Sequence, residues 1–599
     1  MEPTSEILLG RRRIEGVPGY ELVKDLQWSN KNQRWRMQFQ LTLPLNEGGV
    51  SGIIPDITRW YLLVSPSYPQ GEIDIYPAKE GGITATFQHQ NCNQANAATP
   101  WREGKLCVNT GLRNFARRGY DSEPYEAATR LRWHIQRCIL WLELANVGQL
   151  SAPGEPLELP HYPTKRRKTV AFSENEKGFS AWQGIPDPAG QVQLNQLNAE
   201  REVVYVKSFY GKGRKPIVDI TWGAHLTESS LSEVSGIWVM LKDIVVLEPW
   251  QAPITWQDLF KVAEDQGINL ESLAKDLYCK AWKGQPSILL LGFPISDKIG
   301  ANPKQIHWLA VQLDKPPALK GFRPNSADLP KACAKYVFRK TGTLEWLGTE
   351  NWDRNQINTR GKLPPSITDQ NIVVIGAGAL GSALVELFAR AGCTRITVLD
   401  DGITEVGNLS RHVLTLDDIK KDKFEALVRR LNKISPSISA VSNNKSIREA
   451  LRTNKDFLLD FDLIIEATAS DKVLYELARA NFSAKSKFVS LSLGLHARRV
   501  FCYMAHFHSD IDSDFDRYME NWMEKEQVAY QEVEELPRDG LGCWHPLFPA
   551  RADDVWMLTA VAVKVLESYV VNEEKSTSFS VFEQTYVDGV FSGISKANA

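Results

Sequence analysis

The spacing of apolar residues divides the chain into three regions. Up to about Pro163, short runs of strand character at Trp35 to Leu43 and Tyr61 to Val64 are followed by a Pro/Gly-rich passage. From Ala127 to Asn146 the spacing changes: Leu131, Ile135, Cys138, Ile139, Leu142 and Ala145 recur on one helical face. Together these predict a small α+β unit. A second region, from about Val203 to Leu347, predicts strands at Val203 to Val206, Ile217 to Thr221, Ile237 to Leu247 and Ile288 to Gly292, with a helix over Trp256 to Tyr278. It shows no catalytic constellation. After Asn371 apolar strands alternate with helical segments, which is the signature of βαβ units and a mostly parallel sheet.

The run Pro163, Thr164, Lys165, Arg166, Arg167, Lys168 falls between the first two regions and reads as a solvated connector rather than a nucleic-acid patch. We therefore expect domains at 1–163, 164–347 and 348–599, a multidomain α/β chain. At 599 residues three or four domains are expected. A composition of 43% hydrophobic and 24% charged residues with a net charge of -2 gives no reason to expect nucleic acid or an anionic membrane as partner. No basic-then-apolar leader and no apolar run of about 18 residues is found, so a cytoplasmic enzyme is expected.

Eight cysteines are scattered without a CxxC pair, which argues against a disulfide framework or a four-cysteine zinc site. Most fall in apolar periodic segments. Cys107 and Cys543 instead lie in polar, glycine-flanked stretches, where a thiolate can be reached by another reactant.

The strand Asn371 to Ile375 runs into Gly376, Ala377, Gly378, Ala379, Leu380 and Gly381 and then a helix. Glycines so placed permit a tight turn, close approach of backbone to phosphate and a helix N-terminus facing the anion. Arg395 to Asp400 then reads as a strand ending in an acid suited to ribose hydroxyls, which leaves a dinucleotide-dependent oxidoreductase open. Asn408, Arg411 and Lys423 follow, and two cations with an asparagine suit a triphosphate losing pyrophosphate, with a magnesium ion helping to position the reacting oxygens. Taken one at a time, each reads as a solvated helix residue; taken as a set in this order, they read as a phosphate site.

The segment "IVVIGAGALGSALVELFARAGCTRITVLDDGITEVGNLSRHV" resembles the ThiF/MoeB and ubiquitin-activating adenylation family, over about residues 357 to 569. The resemblance implies a Rossmann-like domain that binds ATP through Gly376, Gly378 and Gly381, with ribose on Asp400. It further implies phosphate contacts from Asn408, Arg411 and Lys423, and a substrate carboxylate that attacks the α-phosphate. The family's second acid, two residues after the first, is replaced by Gly402. Asp471, after the strand Asp462 to Ile465, resembles the family's magnesium-binding aspartate, though it reads equally as a helix cap. Arg354 or Arg360 matches the arginine that reaches a nucleotide across a homodimer. Cys543, in "DGLGCWHP", would be the thioester nucleophile, with His545 near it.

Cys107 lies in "WREGKLCVNTG", which resembles the active-site segment of ubiquitin-conjugating enzymes, as "YLLVSPSYP" and "IDIYPA" resemble their central strands. His89, Gln90, Asn91 resembles their His-Pro-Asn motif with glutamine for proline. The resemblance gives Asn91 support of the oxyanion formed when a lysine attacks the Cys107 thioester; simple ordering of the loop is the alternative. Asn91 and Cys107 are 16 residues apart, longer than the family's separation. Cys92 is a competing nucleophile without the "GKLC" setting.

A conjugating half followed by an activating half resembles the fused enzymes of bacterial CBASS antiphage operons. That resemblance implies ATP and Mg2+ as cofactors, a cGAS-like nucleotidyltransferase whose C-terminus is activated, and a target-protein lysine as acceptor. A catalytically inactive scaffold is the remaining alternative, favoured by Gly402 and the irregular spacing of Asp471.

Overall fold

The computed structural model describes all residues except 1, 44–52, 109–121, 198–201, 212, 214, 229–231, 318–327, 443–445, 507–510, 534, 539–546, 575 and 599. It comprises two compact units, residues 1–220 with 231–351, and residues 221–230 with 352–599.

In the first unit, strands Tyr20–Ser29, Arg34–Thr42, Ile57–Val64 and Ile73–Pro77 form an antiparallel meander in chain order. Alternating residues of the central strands, among them Trp35, Met37, Phe39, Leu41, Trp60, Leu62 and Val64, enter one core. The helix Arg130–Asn146 closes that core with Leu131, Ile135, Cys138, Leu142 and Ala145, the face expected from the sequence. Its first turn is fixed by a buried polar knot: Arg130 donates to Glu123 Oε1 at 2.7 Å and to the carbonyls of Pro69 and Gly71 at 2.6 and 2.8 Å. His134 lies 2.7 Å from the same Glu123 oxygen. Charge pairing at close range is what allows these groups to be buried.

The same unit contains a mixed eight-stranded sheet running from Thr164–Phe172 to Glu345–Asn351. The basic run expected as a connector is the start of this sheet: Thr164–Phe172 pairs with both Glu345–Asn351 and Val203–Tyr210. Strand pairing overrides the local charge because Val170 and Phe172 supply buried anchors. The expected helix over Trp256 to Tyr278 is two helices, Trp256–Asp265 and Leu270–Lys280, separated at Gly267 with φ +77°. The left-handed glycine ends the first helix, as helix C-termini favour. The strand expected over Ile237 to Leu247 is Glu233–Met240.

Among the described residues the second unit is built on eight strands. Ser439–Val441, Arg395–Leu399, Ile372–Ile375, Leu463–Glu466 and Lys487–Leu493 are parallel neighbours in that order. Arg499–His506, Ser578–Val587 and Val590–Ala597 continue the sheet antiparallel. Ile372–Ile375 and Leu463–Glu466 are buried at every position, as expected for strands covered on both faces. Ile372 and Val374 face the core that carries the helices Ala379–Arg390 and Ala552–Val571. Val373 and Ile375 face the core closed by Ile511, Phe515, Met519 and Trp522 of the helix Ile511–Gln531. Chain order reverses between Ile372–Ile375 and Leu463–Glu466, so the crevice beyond their carboxyl ends is the topological switch point of the sheet. Among the described residues no helix is long and apolar enough to cross a membrane.

Candidate nucleotide and thiol sites

Two loops meet at the switch point. Gly376, with φ +100°, turns the chain sharply, and a Cβ there would lie 2.8 Å from the Ala467 carbonyl carbon in the neighbouring loop. At Gly381 a Cβ would meet the Gly376 carbonyl at 1.9 Å, so the helix Ala379–Arg390 can start this close to the strand only without a side chain. Gly378 differs, because a Cβ there would meet nothing within 4 Å. It is the N-cap of that helix and supplies no side-chain cap. Open space in front of an uncapped helix N-terminus fits an anionic ligand such as nucleotide phosphate.

Asp400 is part of the loop's scaffold. Its Oδ2 accepts the Ala377 amide at 2.6 Å and its Oδ1 accepts the Gly402 amide at 2.7 Å. Gly402 is glycine for a steric reason: a Cβ would lie 2.8 Å from Asp400 Oδ1 and 3.2 Å from Lys423 Nζ. The Lys423 amide donates to the Gly402 carbonyl at 2.9 Å, so Asp400, Gly402 and Lys423 converge although they span two elements. His412, which the sequence reading passed over, is buried beneath the loop. It joins the Ala377 carbonyl through Nε2 at 2.6 Å and accepts the Leu414 amide on Nδ1 at 3.1 Å. Burial lowers its pKa below the usual 6.5. A histidine adjoining Asn-Leu-Ser-Arg was the available sequence signal.

The other expected residues lie around this centre. Asn408 Oδ1 accepts the Glu405 amide at 3.0 Å, which closes the short turn Val406–Ser410. Arg411 Nη1 donates to the carbonyl of Phe548. Asp471 is exposed and is the first residue of the helix Asp471–Leu477, with Ser470 as N-cap. Among the described residues no group of three or more His, Cys, Asp or Glu side chains is placed to hold a metal ion. A magnesium ion arriving on phosphates needs only one or two protein carboxylates, and Asp471 offers that donor type. Glu466, at the end of its strand, is buried; burial raises its pKa against hydrogen bonds from Ser490 and Thr468. Arg354 is paired with Asp369 and bonded to Thr368, whereas Arg360 is exposed and forms no ion pair among the described residues. Cys543 and His545 lie outside the described residues.

In the first unit the chain brings Asn91 and Cys107 to one surface. Gln90 and Leu106 form an antiparallel bridge, the Cys107 amide donates to the His89 carbonyl at 2.8 Å, and the Asn91 amide donates to the Lys105 carbonyl at 3.0 Å. Gln90 and Leu106 are buried, while Asn91 and Cys107 are exposed. Alternation across the pair therefore sets Asn91 and Cys107 diagonally on the open face, a spacing of roughly 7–8 Å in regular pairs. Gln90, in the place of the family's proline, ties the loop through its carboxamide: Oε1 accepts the Phe87 amide at 3.0 Å and Nε2 donates to the Gly104 carbonyl at 3.2 Å.

His89 has φ +56° and lies with Nδ1 2.7 Å from Glu158 Oε2 and Nε2 3.1 Å from the Leu150 carbonyl. The Glu158 hydrogen bond raises its pKa. Cys92, the competing thiol, is 3% exposed, and burial raises its pKa, so it is not poised as a nucleophile.

Residues 148–352 match the family described as the Cap2 central linker domain, and residues 356–512 match the ThiF family. The ATP-dependent ubiquitin transferase-like protein Cap2 of Enterobacter hormaechei subsp. hoffmannii (strain UCI 50) is 32% identical over 551 residues, covering 89% of this chain and 89% of that protein. The molybdopterin-synthase adenylyltransferase of Escherichia coli K12 is 28% identical over 126 residues, covering 21% of this chain and 50% of that protein. Solved structures similar to the chain include Escherichia coli MccB with ATP, at 15% identity and a TM-score of 0.27, covering 39% of this chain and 65% of that one. The match to Cap2 and to the ThiF family sets aside the oxidoreductase that the glycine loop alone left open. Through its likeness to Cap2 along nearly its whole length, the chain belongs to the Cap2 family of ATP-dependent ubiquitin transferase-like enzymes, with that family's central linker and a ThiF domain.

Proposed function

We propose that the chain joins the C-terminal carboxylate of a partner protein to a lysine amine in four chemical steps. A carboxylate oxygen of the partner attacks the α-phosphorus of ATP, and pyrophosphate leaves. The Cys543 thiolate then attacks the acyl carbon and AMP leaves. The Cys107 thiolate takes the acyl group from Cys543, whose thiolate is released. Finally the lysine nitrogen attacks the Cys107 thioester, the C–N bond forms as the C–S bond breaks, and the ammonium loses its proton to solvent. Asn91 would donate to the oxyanion of this last step.

The observation that carries the reading is that Asp400 and His412 both bond Ala377 of the glycine loop, with Lys423 against Gly402 beside Asp400. Lys423 and Arg411 would offset charge as pyrophosphate departs, and Asn408 would orient the phosphates. Asp471 would hold magnesium, which when bound neutralises phosphate charge. A cavity of about 730 Å³ lined by Glu466, Asp471, Ser490, Phe515, Met519 and Phe548 opens beside the loop that follows Leu463–Glu466 and gives an extended tail room to enter. A short flexible tail reaches such a place where a folded domain cannot. From the CBASS resemblance we assign the partner as a cGAS-like nucleotidyltransferase. The four-stranded meander with Cys107 beside it supports a ubiquitin-conjugating-like first domain. Arg360, free of ion pairs among the described residues, is the better candidate to reach the nucleotide of a second copy in a homodimer.

The test is incubation of pure protein with ATP and the nucleotidyltransferase, followed by non-reducing gels and mass spectrometry for a tail-to-lysine peptide. Conjugation that survives truncation of the partner's last residues would remove it as substrate.

A further inference from the structure

The middle domain holds the segment that carries Asn91. Gln251, 159 residues from Cys92, donates Nε2–H to the Cys92 sulfur at 2.9 Å and to its neighbour Ala252 carbonyl at 3.0 Å. Its Oε1 accepts the Thr86 hydroxyl, and Thr86 Oγ1 in turn accepts the Asn93 amide at 2.9 Å. The Gln251 backbone is itself fixed, exchanging both hydrogen bonds with Leu247 at 2.7 and 2.8 Å. Two more groups from the residues matching the linker family reach the same segment: His161 Nδ1 accepts the Cys92 amide at 3.4 Å, and Glu158 pairs with His89. Thr86 and Cys92 are 1% and 3% exposed, so these bonds form out of water, where losing one partner strands the other.

The segment between Thr86 and Asn93 is gripped this way, and Asn91 is its exposed member. A loop holds an exposed side chain to the tolerance that acyl transfer needs only if its backbone is pinned. We propose that Gln251 is a positioning residue for transfer from Cys107 to the lysine amine, acting through Thr86 and Cys92 on Asn91. The middle domain would thus complete the conjugating site rather than merely space the two halves.

The inference rests on the proposed thioester at Cys107, so the parent protein is loaded first with ATP and the nucleotidyltransferase. Absence of a Cys107 thioester in the parent overturns that reading and this inference with it. Given a loaded parent, single-turnover discharge to free lysine is followed in Gln251→Ala and Gln251→Glu. We expect ATP–pyrophosphate exchange and Cys107 loading to be retained, and discharge to slow about 10- to 100-fold in Gln251→Ala. Gln251→Glu keeps an acceptor for Thr86 and should recover part of the rate. In an Asn91→Ala background, Gln251→Ala should add no further slowing, because residues acting as one unit are not additive. Parent-like discharge in a loaded Gln251→Ala protein overturns the inference, as does full additivity with Asn91→Ala. Loss of loading in both Gln251 variants also overturns it, since the damage would then lie in the fold.

Discussion

His412 and the Ala377 carbonyl are joined at 2.6 Å across 35 residues of chain, which ties the glycine loop to the segment that carries Asn408 and Arg411. A carbonyl can only accept, so Nε2 carries the proton, and Nδ1 accepts from Leu414. The neutral imidazole is the form that satisfies both neighbours.

Replacing His412 by alanine is therefore expected to leave two buried backbone groups without partners, at a cost of about 1–3 kcal/mol, while His412→Gln, which keeps a donor, should lose less. Melting curves and the KM for ATP would show both effects. Because burial holds the folded pKa below the unfolded value of 6.5, the unfolded chain takes up the proton first. The stabilisation is thus full above 6.5 and declines as pH falls through the folded value. In His412→Gln this acid dependence should be missing.

Lys423→Ala and Arg411→Ala are expected to reduce partner-dependent ATP–pyrophosphate exchange by about 2–4 kcal/mol in transition-state free energy, the range for a preorganised donor. Unchanged exchange in both would end the assignment of these cations.

Gly402→Asp would install the acid that related adenylation enzymes carry here. Its Cβ must displace Asp400 Oδ1 or Lys423 Nζ, and its charge would lie against the Asp400 carboxylate. Exchange should fall by tenfold or so, and Gly402→Ala should share the steric part of the loss. Faster exchange in Gly402→Asp would show that the missing acid is a defect.

The two thiols should act in order. Cys543→Ala is expected to support pyrophosphate exchange yet load neither cysteine, whereas Cys107→Ala should accumulate a thiol-sensitive adduct on Cys543. Normal conjugation by Cys107→Ala would remove the first domain from the chemistry.

Burial works to raise the carboxyl pKa of Glu123, but His134 and Arg130 outweigh it and bring the value down to about 2. A depressed folded value means stability that is present above the ordinary 4.5 and is lost as pH falls toward about 2. Amide exchange in the helix Arg130–Asn146 should accelerate across that window in the parent and lack this dependence in Glu123→Gln.

The sequence by itself determined the parallel sheet, the glycine loop and the order acid, Asn-Leu-x-Arg, lysine, because each depends on local periodicity or on backbone freedom within a few residues. It also separated the exposed Cys107 from the buried thiols through their apolar surroundings. The split of the Trp256 to Tyr278 helix was legible in principle at Gly267, but propensity alone did not force it. Other features were decided only in three dimensions. The basic run at 164–168 became strand because the residues that follow it, Thr169 to Ala171, pair on both sides and the apolar end enters a core. Asn91 and Cys107 became neighbours through a two-residue bridge, which closes any sequence separation. Asp400, Gly402, His412 and Lys423 converge because the parallel sheet brings loops together at its switch point, and Gln251 reaches Cys92 because packing disregards chain distance.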